Sequence, residues 1–284
     1  MTTKARIGVL GAGLMGHGIA QVFALAGHEV RIYDPSPAAL ESVRARIASN
    51  LRDLDEDESA ANRVTPAATV AEAVSDADFV VEAALENLAV KQQLFAEVER
   101  HAPAHAILAS NTSVIPITQI MQGIADGART IGTHWWNPPF LVPLVEVIGT
   151  DRTSQATLDA TMALHESIGK TPVHVKKDVP GFVGNRLQHA LWREAISLVE
   201  NGICDARTVD TVVKASFGRR LAVLGPIENA DLVGTDLTLA IHQTVLPAPV
   251  HQLTSMTADP AAHFMSGLCI AFVRSGTRAA VHTQ

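Results

Sequence analysis

Six residues, Gly11-Ala12-Gly13-Leu14-Met15-Gly16, leave this chain few ways to fold. They follow an apolar run of buried-strand type (Ile7, Val9, Leu10) and precede a helical pattern, so they read as a strand-to-helix turn. Gly11 permits the tight turn, Gly13 lets a pyrophosphate approach the backbone, and Gly16 lets helix and strand pack closely. The amides that open the helix then face phosphate oxygens, where the helix dipole also favours negative charge. A second apolar strand (Val30, Ile32) ends at Asp34, 18 residues beyond Gly16. A carboxylate there accepts hydrogen bonds from a free ribose hydroxyl and repels a 2′-phosphate. The glycine pattern alone is a weak signal. With strand, helix, second strand and acid in register it predicts a dinucleotide site, with NAD favoured over NADP.

Composition narrows the partners. The 284 residues are 47% hydrophobic and 18% charged, enough for one large core or two moderate ones. The formal charge is −7 with no lysine or arginine run, which argues against nucleic acid or an anionic membrane. Cys204 and Cys269 have no cysteine or ligand-spaced histidine nearby, so neither a disulfide framework nor a metal site is expected. No signal peptide is read ahead of the first strand and no apolar stretch is long enough to span a bilayer, so a cytoplasmic location is expected. Any one of the 12 histidines is by default a surface or core residue.

Strands and helices alternate along the first part of the chain. Helix is expected over 35–51, then a short acidic linker over 52–59. Strands follow at 78–83, 106–109 and 130–134, helices at 88–100 and 115–122, and further strands at 144–148 and 171–175 around a helix at 154–167. Such alternation predicts an α/β fold with a doubly wound, mostly parallel sheet. From Pro180-Gly181 the pattern turns helical (182–201, 206–215, and from 227), with no convincing strand. Domains are therefore expected at 1–180 and 181–284, with a short helix at 261–272.

Three polar clusters fall where such a sheet presents the carboxyl ends of its strands: Ser110-Asn111-Thr112-Ser113, His134-Trp135-Trp136-Asn137-Pro138-Pro139, and Asn185. Glu146 lies inside the strand Leu144-Val145-Glu146-Val147-Ile148, where a carboxylate needs a partner. His134, one turn and two short strands away, is the natural one. A Glu–His pair fixes the imidazole tautomer and raises its basicity, which suits a group that takes a hydroxyl proton. On spacing alone, a purely structural ion pair is the competing reading.

These residues resemble the L-3-hydroxyacyl-CoA dehydrogenase family. The glycine turn, Val81-Glu82-Ala83 with Glu86-Asn87, Ser110 to Ser113, Gly132-Thr133-His134 with Asn137-Pro138, Leu144 to Val147, and Pro180-Gly181-Phe182-Val183 with Asn185-Arg186 match its motifs in order, over residues 5 to about 245. The resemblance implies a Rossmann-type NAD-binding domain followed by a helical domain that forms a homodimer. It implies that His134 accepts the proton of the substrate hydroxyl and that Glu146 orients and stabilises His134. Ser113 and Asn185 would hydrogen-bond the reacting oxygen or its neighbour, and Asn137 would position nicotinamide and substrate. Glu86 and Lys91 would contact the nicotinamide half of the cofactor. The working cleft is expected where the two lobes join.

The sequence also departs from that pattern. Acyl-CoA members carry a longer, lysine-bearing insertion after the second strand; here the stretch is short, and Asp53, Asp55, Glu56, Asp57 and Glu58 would repel the phosphates of CoA. Trp135 and Trp136 stand where the family commonly has phenylalanines. Two indoles beside the base would stack on a planar ring or enclose a quaternary amine, unless they serve packing. Pro138 to Pro143 and Val175 to Val183 are similar to members that oxidise free polar substrates, such as carnitine, gulonate and pyridine-carboxylate dehydrogenases. Arg186 or Arg193 would meet a substrate carboxylate or else pair within the helical domain. The family's Lys-x-Gly-x-Gly-Phe ending has no counterpart, and the tail is atypical from about residue 249. The expectation is an NAD-dependent dehydrogenase that interconverts a secondary alcohol and a ketone on a small, non-CoA acid. The alternatives are a short-chain 3-hydroxyacyl-CoA substrate and, in another class, an NAD-binding protein without turnover.

Overall fold

The computed structural model describes residues 4–245. The helix expected at 261–272, Cys269 and the atypical tail lie outside the described residues. The chain divides into two compact units, one up to Leu187 and one from Gln188.

The first unit is built on eight strands: β1 (Arg6–Leu10), β2 (Glu29–Tyr33), β3 (Val64–Pro66), β4 (Phe79–Glu82), β5 (Ile107–Ser110), β6 (Thr130–Trp135), β7 (Leu144–Ile148) and β8 (Thr171–Val175). They lie in the order β3-β2-β1-β4-β5-β6-β7-β8. Every neighbouring pair is parallel except β6 and β7. The helices are α1 (Leu14–Leu25), α2 (Pro37–Asp53), α3 (Val70–Val74), α4 (Leu88–His101), α5 (Ile117–Ile120) and α6 (Gln155–Ser167). Strand residues alternate between two cores because successive side chains point to opposite faces. Ile7, Val9, Val81 and Ile131 pack on one side with Ile19, Phe23 and Ile47, while Leu10, Val80 and Leu108 pack on the other with Phe95, Val98 and Ile117. The doubly wound, mostly parallel sheet expected from the alternation is present. Its order reverses between β1 and β4, where a fold of this kind opens its ligand crevice.

Three local expectations need correction. The 52–59 stretch is not an open linker: α2 runs to Asp53, and Asp57 caps a 3-10 turn at Glu58–Arg63, with Arg52 paired to Glu58. The helix expected over 115–122 is only Ile117–Ile120, because Pro116 forms its N-cap and disfavours helical backbone at Ile115. Edge strand β3 and helix α3, three and five residues long, add to the elements expected from the sequence.

The second unit holds most of α7 (Gly184–Glu200), then α8 (Ala206–Ala215), α9 (Pro226–Val233) and α10 (Thr235–Val245). Asp205 caps α8 by accepting from the Thr208 amide. Among the described residues this unit has no strand, as the pattern after residue 180 predicts.

One histidine is part of the core. His165 on α6 is fully buried among Phe23, Phe79 and Trp135, with its Nδ1 2.7 Å from the Thr161 carbonyl and its Nε2 unpartnered. Burial pushes its pKa down to about 4 from 6.5. In the unfolded chain the ring protonates below its ordinary value, whereas in the fold it does not until far lower pH. Its stabilising contribution is therefore complete above pH 6.5 and is lost as pH falls towards 4. The full loss is on the order of 3 kcal/mol. Urea unfolding at neutral pH and at pH 4.5 is expected to show His165→Leu losing less stability on acidification than the parent; equal losses would contradict this.

Candidate active site

The glycine turn sits at the reversal point of the sheet. Gly11 adopts a φ of +106° and lies so close to the end of β4 that a side chain there would collide with the Ala83 carbonyl. A Cβ at Gly16 would run into the Gly11 carbonyl, so α1 can start where it does only with glycine in place. A side chain at Gly13, by contrast, would meet no atom within 4 Å: the space over the turn is open. The first turn of α1 has no side-chain cap and no acidic residue. Ala12 is buried while Leu14 is 65% exposed and Met15 partly so. An open cradle, uncapped amides and an adjacent acid fit the diphosphate and ribose of NAD. Asp34 does more than the sequence implies, since its two oxygens also accept from the Ala12 amide (2.7 Å) and the Ser36 amide (2.8 Å), bracing the turn.

His134 and Glu146 face each other directly across the antiparallel pair β6–β7. The His134 Nδ1 lies 2.8 Å from Glu146 Oε2, with both side chains almost fully buried. The other carboxylate oxygen, Oε1, accepts from the Val183 amide (2.9 Å) and the Gly184 amide (3.0 Å) at the start of α7. Burial raises the Glu146 carboxyl, but the His134 hydrogen bond and the two amides outweigh it and hold the group below its ordinary range. An ionised carboxylate only accepts, so Nδ1 carries the proton and donates. The other ring nitrogen, Nε2, is left as an acceptor and bonds to nothing among the described residues.

A second buried cluster lies at the ends of β4 and β5. Glu82 is fully buried and accepts from Lys91 Nζ (2.6 Å), Ser110 Oγ (2.6 Å) and the Ala84 amide (2.7 Å). Lys91 also reaches Glu86 at 3.2 Å. Its ammonium is only 1% exposed, so Glu86 rather than Lys91 presents a surface to a ligand. Glu86 Oε1 accepts from Thr112 Oγ1 and the Ser113 and Val114 amides. Burial raises the Glu86 carboxyl, and Thr112, Lys91 and these amides together bring it below its ordinary value. Asn185 Nδ2 donates to the Ser113 carbonyl at 2.9 Å, which joins this cluster to the Glu146 end of α7. Asn137 is exposed just past β6. Glu82→Gln is expected to cost about 1–3 kcal/mol in urea unfolding, because Lys91 loses its shorter charged partner; an unchanged midpoint would contradict that role.

The two indoles separate. Strand alternation turns Trp135 to the face opposite His134, where it packs in the core 5.8 Å from Phe23, so the expectation of two indoles beside the base is not met. Trp136 alone stands by His134, with ring centroids 5.3 Å apart, and Phe182 lies 5.6 Å from the same imidazole. A side chain at Gly184 would collide with the Trp136 indole. Phe182, expected to open the helix, instead has a φ of +49°, and α7 begins two residues later. Arg186 and Arg193 are exposed, and neither forms an ion pair among the described residues.

A buried imidazole–carboxylate pair and an open dinucleotide turn lie at the carboxyl ends of strands of one sheet, the combination a dehydrogenase uses. Comparisons with known proteins give the family: residues 6–179 match the 3-hydroxyacyl-CoA dehydrogenase NAD binding domain and residues 181–265 the C-terminal domain of the same family. The chain belongs to the 3-hydroxyacyl-CoA dehydrogenase family and is an NAD-dependent dehydrogenase acting on CH–OH groups. It is similar to the 5-formyl-3-hydroxy-2-methylpyridine 4-carboxylate 5-dehydrogenase of Mesorhizobium japonicum, 39% identical over 81% of this chain and 76% of the relative. It is also similar to a probable 3-hydroxybutyryl-CoA dehydrogenase of Bacillus subtilis, 41% identical over 84% and 85%. A solved structure described as an NAD+-dependent dismutase, a dehydrogenase of the same pyridine carboxylate, superposes with a TM-score of 0.82 at 34% identity, over 95% of this chain and 87% of that one. No helix among the described residues is long and apolar enough to cross a membrane.

Proposed function

We propose that the chain interconverts a secondary alcohol and a ketone on a small polar acid that does not carry CoA. The observation that carries the chemistry is the 2.8 Å His134–Glu146 pair, with the far carboxylate oxygen pinned by two amides. NAD, when bound, supplies the hydride acceptor for alcohol oxidation. His134 Nε2 takes the hydroxyl proton, and Glu146 holds the ring and offsets the charge that develops on it. Ser113 and Asn185 hydrogen-bond the reacting oxygen or its neighbour; Ser113 is exposed for this, and Asn185 Nδ2 has a second hydrogen beyond the one it gives to the Ser113 carbonyl. Asn137 and Glu86 position the nicotinamide end, Lys91 sets the charge and place of Glu86, and residues 11–16 with Asp34 hold the rest of the cofactor.

The substrate reading rests on the acids at the end of α2 and just after it. Of Asp53, Asp55, Glu56, Asp57 and Glu58, only Glu58 pairs with an arginine among the described residues, so the stretch is strongly negative where CoA phosphates would need cations. The likeness to a pyridine-carboxylate dehydrogenase supports it. A short-chain 3-hydroxyacyl-CoA is the second reading, supported by the family description and the Bacillus subtilis relative. Formation of reduced cofactor with purified protein decides between them: turnover of free 3-hydroxy acids with none of 3-hydroxybutyryl-CoA at saturating NAD is the expected result, and the reverse assigns the CoA substrate.

The domain boundary is placed at residue 180, the helical part is taken as a homodimer interface, and the location as cytoplasmic. Helices α8, α9 and α10 bury no residue of their own, and Ile227 and Leu232 are 74% and 76% exposed, which supports a partner surface. Light scattering is expected to give the mass of two chains; the mass of one would refute the dimer.

A further inference from the structure

Between α1 and α2, beneath the glycine turn, lie four polar side chains that the chemistry above does not use: His17 and Gln21 on α1 and Asn50 on α2, which are hydrogen-bonded together, and Arg46 on α2. Polar groups packed between helices cost free energy unless paired, so their partners are informative. Arg46 Nη2 donates to the Ala12 carbonyl at 2.7 Å and to the Ala39 carbonyl at 3.0 Å. His17 Nδ1 lies 2.7 Å from the Gly13 carbonyl. A carbonyl oxygen only accepts, so Nδ1 carries the proton and Nε2 is the acceptor that Asn50 Nδ2 meets at 3.3 Å. The same Asn50 amide donates to Gln21 Oε1 at 2.9 Å, which completes a directed chain ending on the turn.

A trans peptide is planar, and its C=O and the following N–H point in opposite directions. Arg46 draws the Ala12 carbonyl towards α2, so the Gly13 N–H is turned the other way. His17 does the same for the Gly13 carbonyl, which accepts from its ring and, at 3.2 Å, from its backbone amide, and so for the Leu14 N–H. Neither of these two amides bonds to anything among the described residues, whereas the Ala12 amide is already taken by Asp34. We infer that Arg46 and His17 are positioning residues for the dinucleotide: they lock two consecutive peptide planes of the glycine turn so that the Gly13 and Leu14 amides converge on the pyrophosphate. Arg46 forms no ion pair among the described residues, and its Nε is buried without a partner. Its charge polarises the peptide it holds and favours an anion above the turn. This inference rests on the NAD site and is independent of the substrate.

Calorimetric titration of the full chain with ADP and with adenosine tests it, since only ADP carries the diphosphate. In Arg46→Met the Kd for ADP and for NADH is expected to rise about tenfold. The Kd for adenosine is expected to change by less than about twofold. The kinetic effect should fall on the KM for NAD rather than on kcat, and Arg46→Lys should recover most of the ADP affinity. Equal losses for ADP and adenosine, or unaltered ADP binding, would overturn the assignment. Because the substitution also removes packing between α1 and α2, the parent protein gives a second reading: with 15N labelling, the Gly13 and Leu14 amide signals must be among those that move most on adding ADP. If they stay in place, the inference is wrong.

Discussion

His134→Ala is expected to lower kcat by about 10²–10⁴-fold, the usual contribution of a positioned general base. The loss should appear in kcat while the Kd for NADH stays close to that of the parent, because His134 sits on β6 and the glycine turn is braced separately by Asp34 and Arg46. Stability should fall only modestly. Glu146 loses one donor but keeps the Val183 and Gly184 amides, so its carboxylate is not stranded. Turnover in the variant comparable with the parent would remove His134 from the mechanism, and lost NADH binding would show that the residue serves the fold instead.

Glu146→Gln is expected to be nearly as damaging, for a reason specific to this site. The two backbone amides on Oε1 require an acceptor, and in glutamine only one of the two terminal atoms can accept. If the amide oxygen serves them, the NH2 group faces His134 Nδ1 and forces that nitrogen to be the acceptor. The proton then moves to Nε2, where the ring can no longer take one from the substrate. If the amide flips the other way, an NH2 group is pressed against two N–H donors and the start of α7 is displaced. The first outcome predicts a fall in kcat of about 10²–10⁴-fold with stability little changed. The second keeps Nδ1 as the donor, removes only the carboxylate's charge, and lowers the denaturation midpoint. Steady-state kinetics beside urea unfolding separates the two, and a variant with parental kcat and parental midpoint would show that the carboxylate neither orients nor charges the imidazole.

Much of this architecture could be read from the residues because it obeys simple periods. The glycine turn has one backbone solution between a buried strand and a helix, and Asp34 falls where the next strand must end. A carboxylate between Val145 and Val147 announces a partner, and antiparallel pairing of β6 and β7 puts His134 opposite it. The same argument applies to Glu82, which closes the apolar run Phe79-Val80-Val81 and turns out to be fully buried against Lys91 and Ser110. Lys91 shows the limit of reading a helix face: a lysine four residues into α4 looks solvated, and only the fold places two carboxylates over it. Strand alternation could have separated Trp135 from His134, since adjacent residues of β6 cannot share a face. β3 and α3 are too short to show a period, and both are fixed by tertiary contacts. The pairing of Arg46 and His17 with the turn arises between α1 and α2 and has no local signature.

The proposed chemistry requires that the His134 imidazole, held by Glu146, face the alcohol being oxidised. A crystal structure with NADH and an unreactive analogue of a 3-hydroxy acid tests this most directly. The analogue's oxygen is expected at hydrogen-bonding distance, about 2.6–3.2 Å, from His134 Nε2, with its carbon towards the nicotinamide. An analogue bound beside the nicotinamide but out of reach of Nε2, with another side chain on its oxygen, would contradict it.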